Sequence, residues 1–510
     1  MKKCWLVILS MILLFAFVGC STNSVPDETT VTSDDPIELW IVTEETRWDC
    51  MNGVTKKLIT QFKKNNPNVK TRLDILPTDP EEREIYLQQL RVQIMSGNGP
   101  DVFLLPTDEE LNNRTSYRNA DVTVEKLFLD EYLTMYNGHF TDISEYYDAD
   151  EALGKEELVT EVMDAGVLDG ARYILPLWYD YPVIYAATDR LDSLETDLDV
   201  LKSGVITDIM DLAIETENGL LADGVYTTYI HKIRPCDYLI HFPQFLDYET
   251  GKVTLTVDEV AEMLERIRKT TSLSKNPYKI RLGTWPSNLA SLDELYVRDN
   301  WSLASSPNVL MAGYLHNVVE VAAVAYAEGY DVTMIPVRNA SGELVASVSY
   351  YGAVGSGCEY PELAYEFLRM FLLEETQWEL NRPRENPRKP MVSTDPSDSY
   401  IVKGFPVRSN CEVENLWKTY FSNVSPKKID FIGYYRIYFN TIDNARPRFS
   451  RMIGAELTEE DLAILDIPID RVVFDQTFGI DLSGYITRGG DLDELAKELI
   501  RELELHIAEG

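Results

Sequence analysis

Gly97-Asn98-Gly99-Pro100-Asp101-Val102-Phe103-Leu104-Leu105 is a glycine-rich turn that runs into a short, wholly apolar strand. An apolar run of that length, bounded by Gly and Pro, suits a strand buried on both faces of a parallel sheet. Upstream, Ile85, Leu87, Leu90 and Ile94 recur at helical spacing. Asp79 is placed to cap that helix, Pro80 to occupy its first turn and Gly97 to end it. Residues 69–76 alternate as a strand. Before them, Val54, Leu58, Ile59 and Phe62 give one apolar face to a helix over 50–64, and 37–42 reads as the first strand. The order is βαβαβ, and right-handed crossovers make its strands parallel. The loops over 43–49 and 106–110 then emerge at one carboxyl edge, where open α/β sheets take their ligands.

The first residues predict export. Lys2 and Lys3 precede an apolar stretch over 5–18 that only Ser10 interrupts. Spanning a bilayer takes about 20 such residues, so the stretch matches the core of a secretory signal peptide. It ends at Phe17-Val18-Gly19-Cys20, which resembles the lipobox of bacterial lipoproteins and makes Cys20 the expected lipid attachment site. The reading is a leader over 1–19 and a polar, aperiodic tether over 20–35, with the body of the protein outside the cytoplasm.

Bulk composition narrows the function. The 510 residues suggest two or more domains, and 45% hydrophobic content allows a sizeable core. A net charge of −37 argues against nucleic acid, which is held by Lys and Arg on phosphate. The acidity is spread along the chain and reads as a solvated surface. Beyond Cys4 and Cys20, the widely spaced Cys50, Cys236, Cys358 and Cys411 allow three disulfide pairings or free thiols. There is no CxxC, P-loop, HExxH, EF-hand loop or GxSxG elbow, so no catalytic residue, metal or cofactor is expected. Gly352-Ala353-Val354-Gly355-Ser356-Gly357 lacks the dinucleotide-binding order and reads as a tight backbone turn.

Three further helices are legible. Thr256 and Glu259 form a capping box, Pro361 opens a helix with Leu363, Ala364, Phe367, Leu368 and Phe371 on its buried face, and 491–508 carries Leu492, Leu495, Leu499 and Leu503. These stripes read as core. More telling are aromatic residues beside hydrogen-bonding groups, above all Leu175-Pro176-Leu177-Trp178-Tyr179-Asp180-Tyr181-Pro182, followed by a strand over 183–187. Trp285, Gly313-Tyr314-Leu315-His316 and Tyr350-Tyr351-Gly352 repeat the combination. Sugars call for it: an aromatic face for the C–H side of the ring, carboxylates or amides for the hydroxyls.

In this order the chain resembles the family 1 extracellular solute-binding proteins of ABC importers. The resemblance rests on Glu38-Leu39-Trp40, Leu58-Ile59-Thr60-Gln61-Phe62, Asn66-Pro67-Asn68-Val69-Lys70, Gly97 to Val102, Gly170-Ala171-Arg172-Tyr173-Ile174-Leu175-Pro176, Leu310-Met311-Ala312-Gly313-Tyr314, and Glu362-Leu363-Ala364-Tyr365-Glu366-Phe367-Leu368. It implies an α/β fold of two lobes with a hinge and an interlobe ligand cleft. One lobe would take 36–181 and 337–376, the other 182–336 and 377–510. It implies a monomer that captures a small solute by closure, a carbohydrate in our reading, and passes it to membrane permease subunits. Asp108 and Asp180 are similar to acidic sugar-hydroxyl ligands of the family. With them, Thr43, Glu44, Trp178, Tyr179, Tyr314 and Tyr351 are expected to line the cleft. Other readings are a different ligand such as a polyamine, a surface glycosidase, and a sensor subunit that presents ligand without transport.

Overall fold

The computed structural model describes residues 37–44, 50–77, 79–107, 126–187, 198–215, 246–247, 250, 252–273, 311–314, 332–381, 405–409, 467–474 and 490–509. The leader, the tether, Asp108 and Trp285 lie outside them, as does most of the length beyond Leu111 and around 382–428.

The expected opening is present. Strand β1 (Ile37–Glu44) leads through α1 (Cys50–Asn65) to β2 (Val69–Leu76), and α2 (Pro80–Met95) leads to β3 (Val102–Pro106). β1 and β3 are parallel, with Ile41 opposite Val102 and Thr43 opposite Leu104. The Asp79 carboxylate accepts from the backbone of Glu81 and Glu82, and Gly97 follows the last turn with φ 71°. The apolar face expected for α2 is corrected in one place. Ile85 is exposed, and the buried line runs Arg83, Leu87, Leu90, Ile94. That line keeps helical spacing; Ile85 lies half a turn off it.

The remaining labelled elements are α3 (Glu131–Tyr136), β4 (Ile174–Asp180), β5 (Pro182–Ala187), α4 (Ile206–Glu215), α5 (Val257–Leu273), β6 (Met311–Tyr314), β7 (Val332–Pro336), β8 (Val345–Val354), α6 (Pro361–Arg369), α7 (Glu374–Asn381), β9 (Phe405–Pro406), β10 (Arg471–Phe474) and α8 (Leu492–Glu509). They make a mixed α/β fold, as expected. A large sheet runs β9-β4-β8-β3-β1-β2 with β10 added to β8, and a smaller one runs β6-β5-β7. The capping box at α5 forms as read, the Glu259 carboxylate accepting from the Thr256 backbone at 2.8 Å. On α6 the buried residues are Ala364, Tyr365, Phe367 and Leu368, with Leu363 only half-buried. Phe367 meets Phe62 of α1 edge-to-face at 5.5 Å.

Among the described residues, two stretches join the sheets. Asp180-Tyr181-Pro182 carries β4 into β5, and 337–344 carries β7 into β8. They lie side by side, since the Val337 amide donates to the Pro182 carbonyl at 2.9 Å. β9 and β10 join the large sheet, while α8 packs on α5. A strand added late in the chain can complete the edge of an early sheet, which helical periodicity alone does not reveal.

The glycine-rich stretch serves close approach rather than a left-handed turn. A Cβ on Gly355 would stand 2.1 Å from the Pro100 carbonyl oxygen, and one on Gly357 would stand 2.3 Å from that of Gly97. Cys358, beside them, carries a free thiol, pushed up to about 12 by burial and by the neighbouring Asp101. Among the described residues no helix is long and apolar enough to cross a membrane.

Candidate functional site

Register gathers the site. β8 is antiparallel to both β3 and β4, so four ends share one edge of the large sheet. These are the carboxyl ends of β1 and β3, the end of β4 at 178–180, and the start of β8. Both connections to the smaller sheet leave from this edge. The loops after β1 and β3 were expected to meet here, and Thr43 and Thr107 do lie on this rim.

Pairing along the rim is irregular. Trp178 faces Tyr350 and Tyr179 faces Val348, which leaves Ser349 as an extra residue; Pro176 faces Tyr351, which leaves Leu177 as another. Bulges of this kind re-aim side chains and often flank functional sites. Consecutive strand residues point to opposite faces, so Tyr350 and Tyr351 centre two groups.

Around Tyr350, the phenol oxygen lies 3.1 Å from the Leu104 carbonyl and 3.1 Å from Thr43 Oγ1. The Thr43 hydroxyl also lies 3.4 Å from the Glu44 carbonyl, to which it can donate. The Trp178 indole stands edge-on to the Tyr350 ring, with centroids 5.5 Å apart at 81°. Trp178 is 0% exposed, and no acceptor among the described residues lies within hydrogen-bonding distance of its Nε1.

Around Tyr351 the site is charged. Glu44, at the end of β1, accepts two hydrogen bonds from the Arg83 guanidinium of α2, at 2.5 and 3.0 Å. Arg83 also donates to the Pro77 carbonyl at 3.1 Å. Lys126 and Glu131 form a second buried pair at 3.4 Å. Burial, and then the adjacent Glu131 carboxylate, hold the Tyr351 hydroxyl well above the usual range for a phenol. Phe474 of β10 closes the group from the side, edge-on to Tyr351 at 5.7 Å and to Tyr132 at 5.3 Å.

The predicted site residues therefore divide. Thr43 and Trp178 meet at Tyr350, and Glu44 and Tyr351 share the charged group. Trp178 and Tyr351 were expected to offer open faces to a ligand, yet both are fully enclosed. Tyr179 is half-buried against Phe405, and Asp180 is buried at the first connection, where it accepts from the Tyr181 amide at 2.9 Å. Tyr314 is placed only by its backbone, opposite Pro182 in the smaller sheet. Asp108 follows Thr107, the last described residue of its segment. Sequence reasoning missed Arg83, Lys126 and Glu131. For Arg83 a signal existed: a charged residue in line with Leu87, Leu90 and Ile94. Among the described residues no group of three or more His, Cys, Asp or Glu is placed to hold a metal ion.

No protein-family model matches the chain, and no curated protein matches it in sequence. Solved structures do match, over most of the chain and at low identity. A de novo designed cysteine esterase is 11% identical with a TM-score of 0.51, covering 93% of this chain and 99% of its own. A periplasmic oligogalacturonide-binding protein from Yersinia enterocolitica is 12% identical with a TM-score of 0.48, with the same coverage. An extracellular solute-binding protein of family 1 from Alicyclobacillus acidocaldarius is 12% identical with a TM-score of 0.45, covering 92% and 99%. At such identities likeness concerns the fold alone, and the fold in common is a mixed α/β architecture built on a central sheet.

Proposed function

We propose that the protein is a lipid-anchored extracellular solute-binding protein. It captures a small solute, a carbohydrate in this reading, between two lobes that close at a hinge, and delivers it to an ABC importer. One observation carries the proposal: two sheets joined by two adjacent connections, both leaving from the sheet edge where α/β folds bind ligands. Hinge closure around a ligand is an established motion for that arrangement. Cys20 behind its apolar leader supports export and anchoring, and the ordered motifs quoted above support the family reading. The lobes follow the sheets, with β9 and β10 on the larger side and α5 and α8 together. Thr43, Asp108, Asp180 and Tyr314 stand at or follow the strand ends nearest the junction. Glu44, behind them, is engaged by Arg83 and shapes the rim.

A thermal-shift screen of the mature chain against neutral oligosaccharides, acidic oligosaccharides and polyamines tests capture. A ligand at about 100 times its dissociation constant adds roughly 2.7 kcal/mol. Stabilisation by one sugar class is expected, and no shift with any sugar would contradict the carbohydrate reading. Anchoring is tested separately: Cys20→Ser should release the protein from the membrane fraction or leave it unprocessed. A normally processed, lipid-labelled product in that variant would contradict anchoring at Cys20.

A further inference from the structure

The second connection between the sheets is braced from both sides. At its start, the Arg338 amide donates to the Gly204 carbonyl at 2.7 Å, and the Arg338 carbonyl accepts from the Ile206 amide at 2.9 Å. These bonds tie it to the stretch that opens α4, and α4 packs on α5. Gly204 presses so close to the end of β7 that a Cβ there would stand 2.1 Å from the Pro336 carbonyl oxygen. At the other end, the Leu344 carbonyl accepts from the Asp470 and Arg471 amides at 3.0 and 3.2 Å, where β10 joins β8. Between these ends, the buried Asn339 closes the turn, its side-chain carbonyl accepting from the Ser341 and Glu343 amides at 2.9 and 2.8 Å. The backbone of Arg338 therefore belongs with α4 and the smaller sheet, and Asp470 with the large one.

One carboxylate oxygen spans that division. Asp470 Oδ2 accepts from the Leu344 amide at 2.7 Å and from Arg338 Nη1 at 3.3 Å. The same Nη1 donates to the Gly342 carbonyl at 3.0 Å. Glu343 and Arg471, 3.9 Å apart, face each other beside this pair. Building on the capture reading, we infer that Arg338 and Asp470 form an ionic clasp across the junction, which restrains the angle between the sheets and makes it sensitive to ionic strength. The two side chains are 29% and 45% exposed, so water and salt reach them. Such a pair adds little to the stability of a whole fold and is screened by salt. Small energies nevertheless suffice to shift an equilibrium between two arrangements of a hinge.

Hydrogen–deuterium exchange of the mature chain without solute, read by mass spectrometry, tests the clasp. In Arg338→Met, peptides over 337–344 and 467–471 should exchange about 3- to 5-fold faster at low salt, the protection that an exposed ion pair supports. The other strands of the large sheet should keep their protection, and the melting temperature should stay within a few degrees of wild type. In the wild type, raising the salt to about 1 M should speed the same peptides by a similar factor, whereas the variant should not respond. Unchanged exchange in Arg338→Met, a difference that salt does not remove, or protection lost across the whole large sheet would overturn the inference. Because no solute is added, the result stands apart from the capture reading, whose failure would show in the oligosaccharide screen instead.

Discussion

Trp178→Ala is expected to destabilise the ligand-free protein by about 3–5 kcal/mol, measured by urea or thermal unfolding of the mature chain. The indole is one of the largest fully buried side chains in the large sheet, and its removal leaves a cavity against Tyr350. The loss should appear without any solute, which separates packing from recognition. Wild-type stability in this variant would mean that the indole is open to solvent, and the platform role read from the sequence would then return.

The second large effect concerns Arg83. Arg83→Met should cost about 3–5 kcal/mol, because it takes two guanidinium hydrogen bonds from a carboxylate that stays buried. Replacing both partners, Arg83→Met with Glu44→Leu, should recover most of that loss, since an apolar pair can substitute for a buried ion pair. A double-mutant cycle by chemical denaturation measures the coupling. Additive losses would show that the pair does not act as a unit. Recovery would show that the charges at the end of β1 serve the shape of the rim more than its stability.

What was legible in the sequence was local. Asp79, Pro80 and Gly97 bracket α2 because caps act through their own neighbouring backbone, and Thr256 with Glu259 open α5 for the same reason. The apolar run over 102–105 became a buried strand because burial on both faces leaves no place for a polar residue. The misreadings came from partners distant in the chain. Ile85 was read as core, but the buried line of α2 passes through Arg83, which is held by the carboxylate of Glu44, 39 residues earlier. Trp178 was read by its chemistry as a sugar platform. Its burial depends on Tyr350, which is anchored by Thr43 across 307 residues. β10 was invisible for a related reason: four residues of strand, Arg471–Phe474, gain their meaning only beside 345–348.

Both groups at the rim have the properties closure would need. Their side chains are held by bonds within the large sheet and its helices, and under the proposed function the bending falls to the two connections beside Pro182 and Val337. The central claim is that the sheets approach one another around a solute. Small-angle X-ray scattering of the mature chain tests it most directly, with and without saturating amounts of the oligosaccharide that gives the largest thermal shift. A smaller radius of gyration in the bound state is expected; an unchanged scattering curve, with binding confirmed by calorimetry in the same sample, would contradict capture by closure.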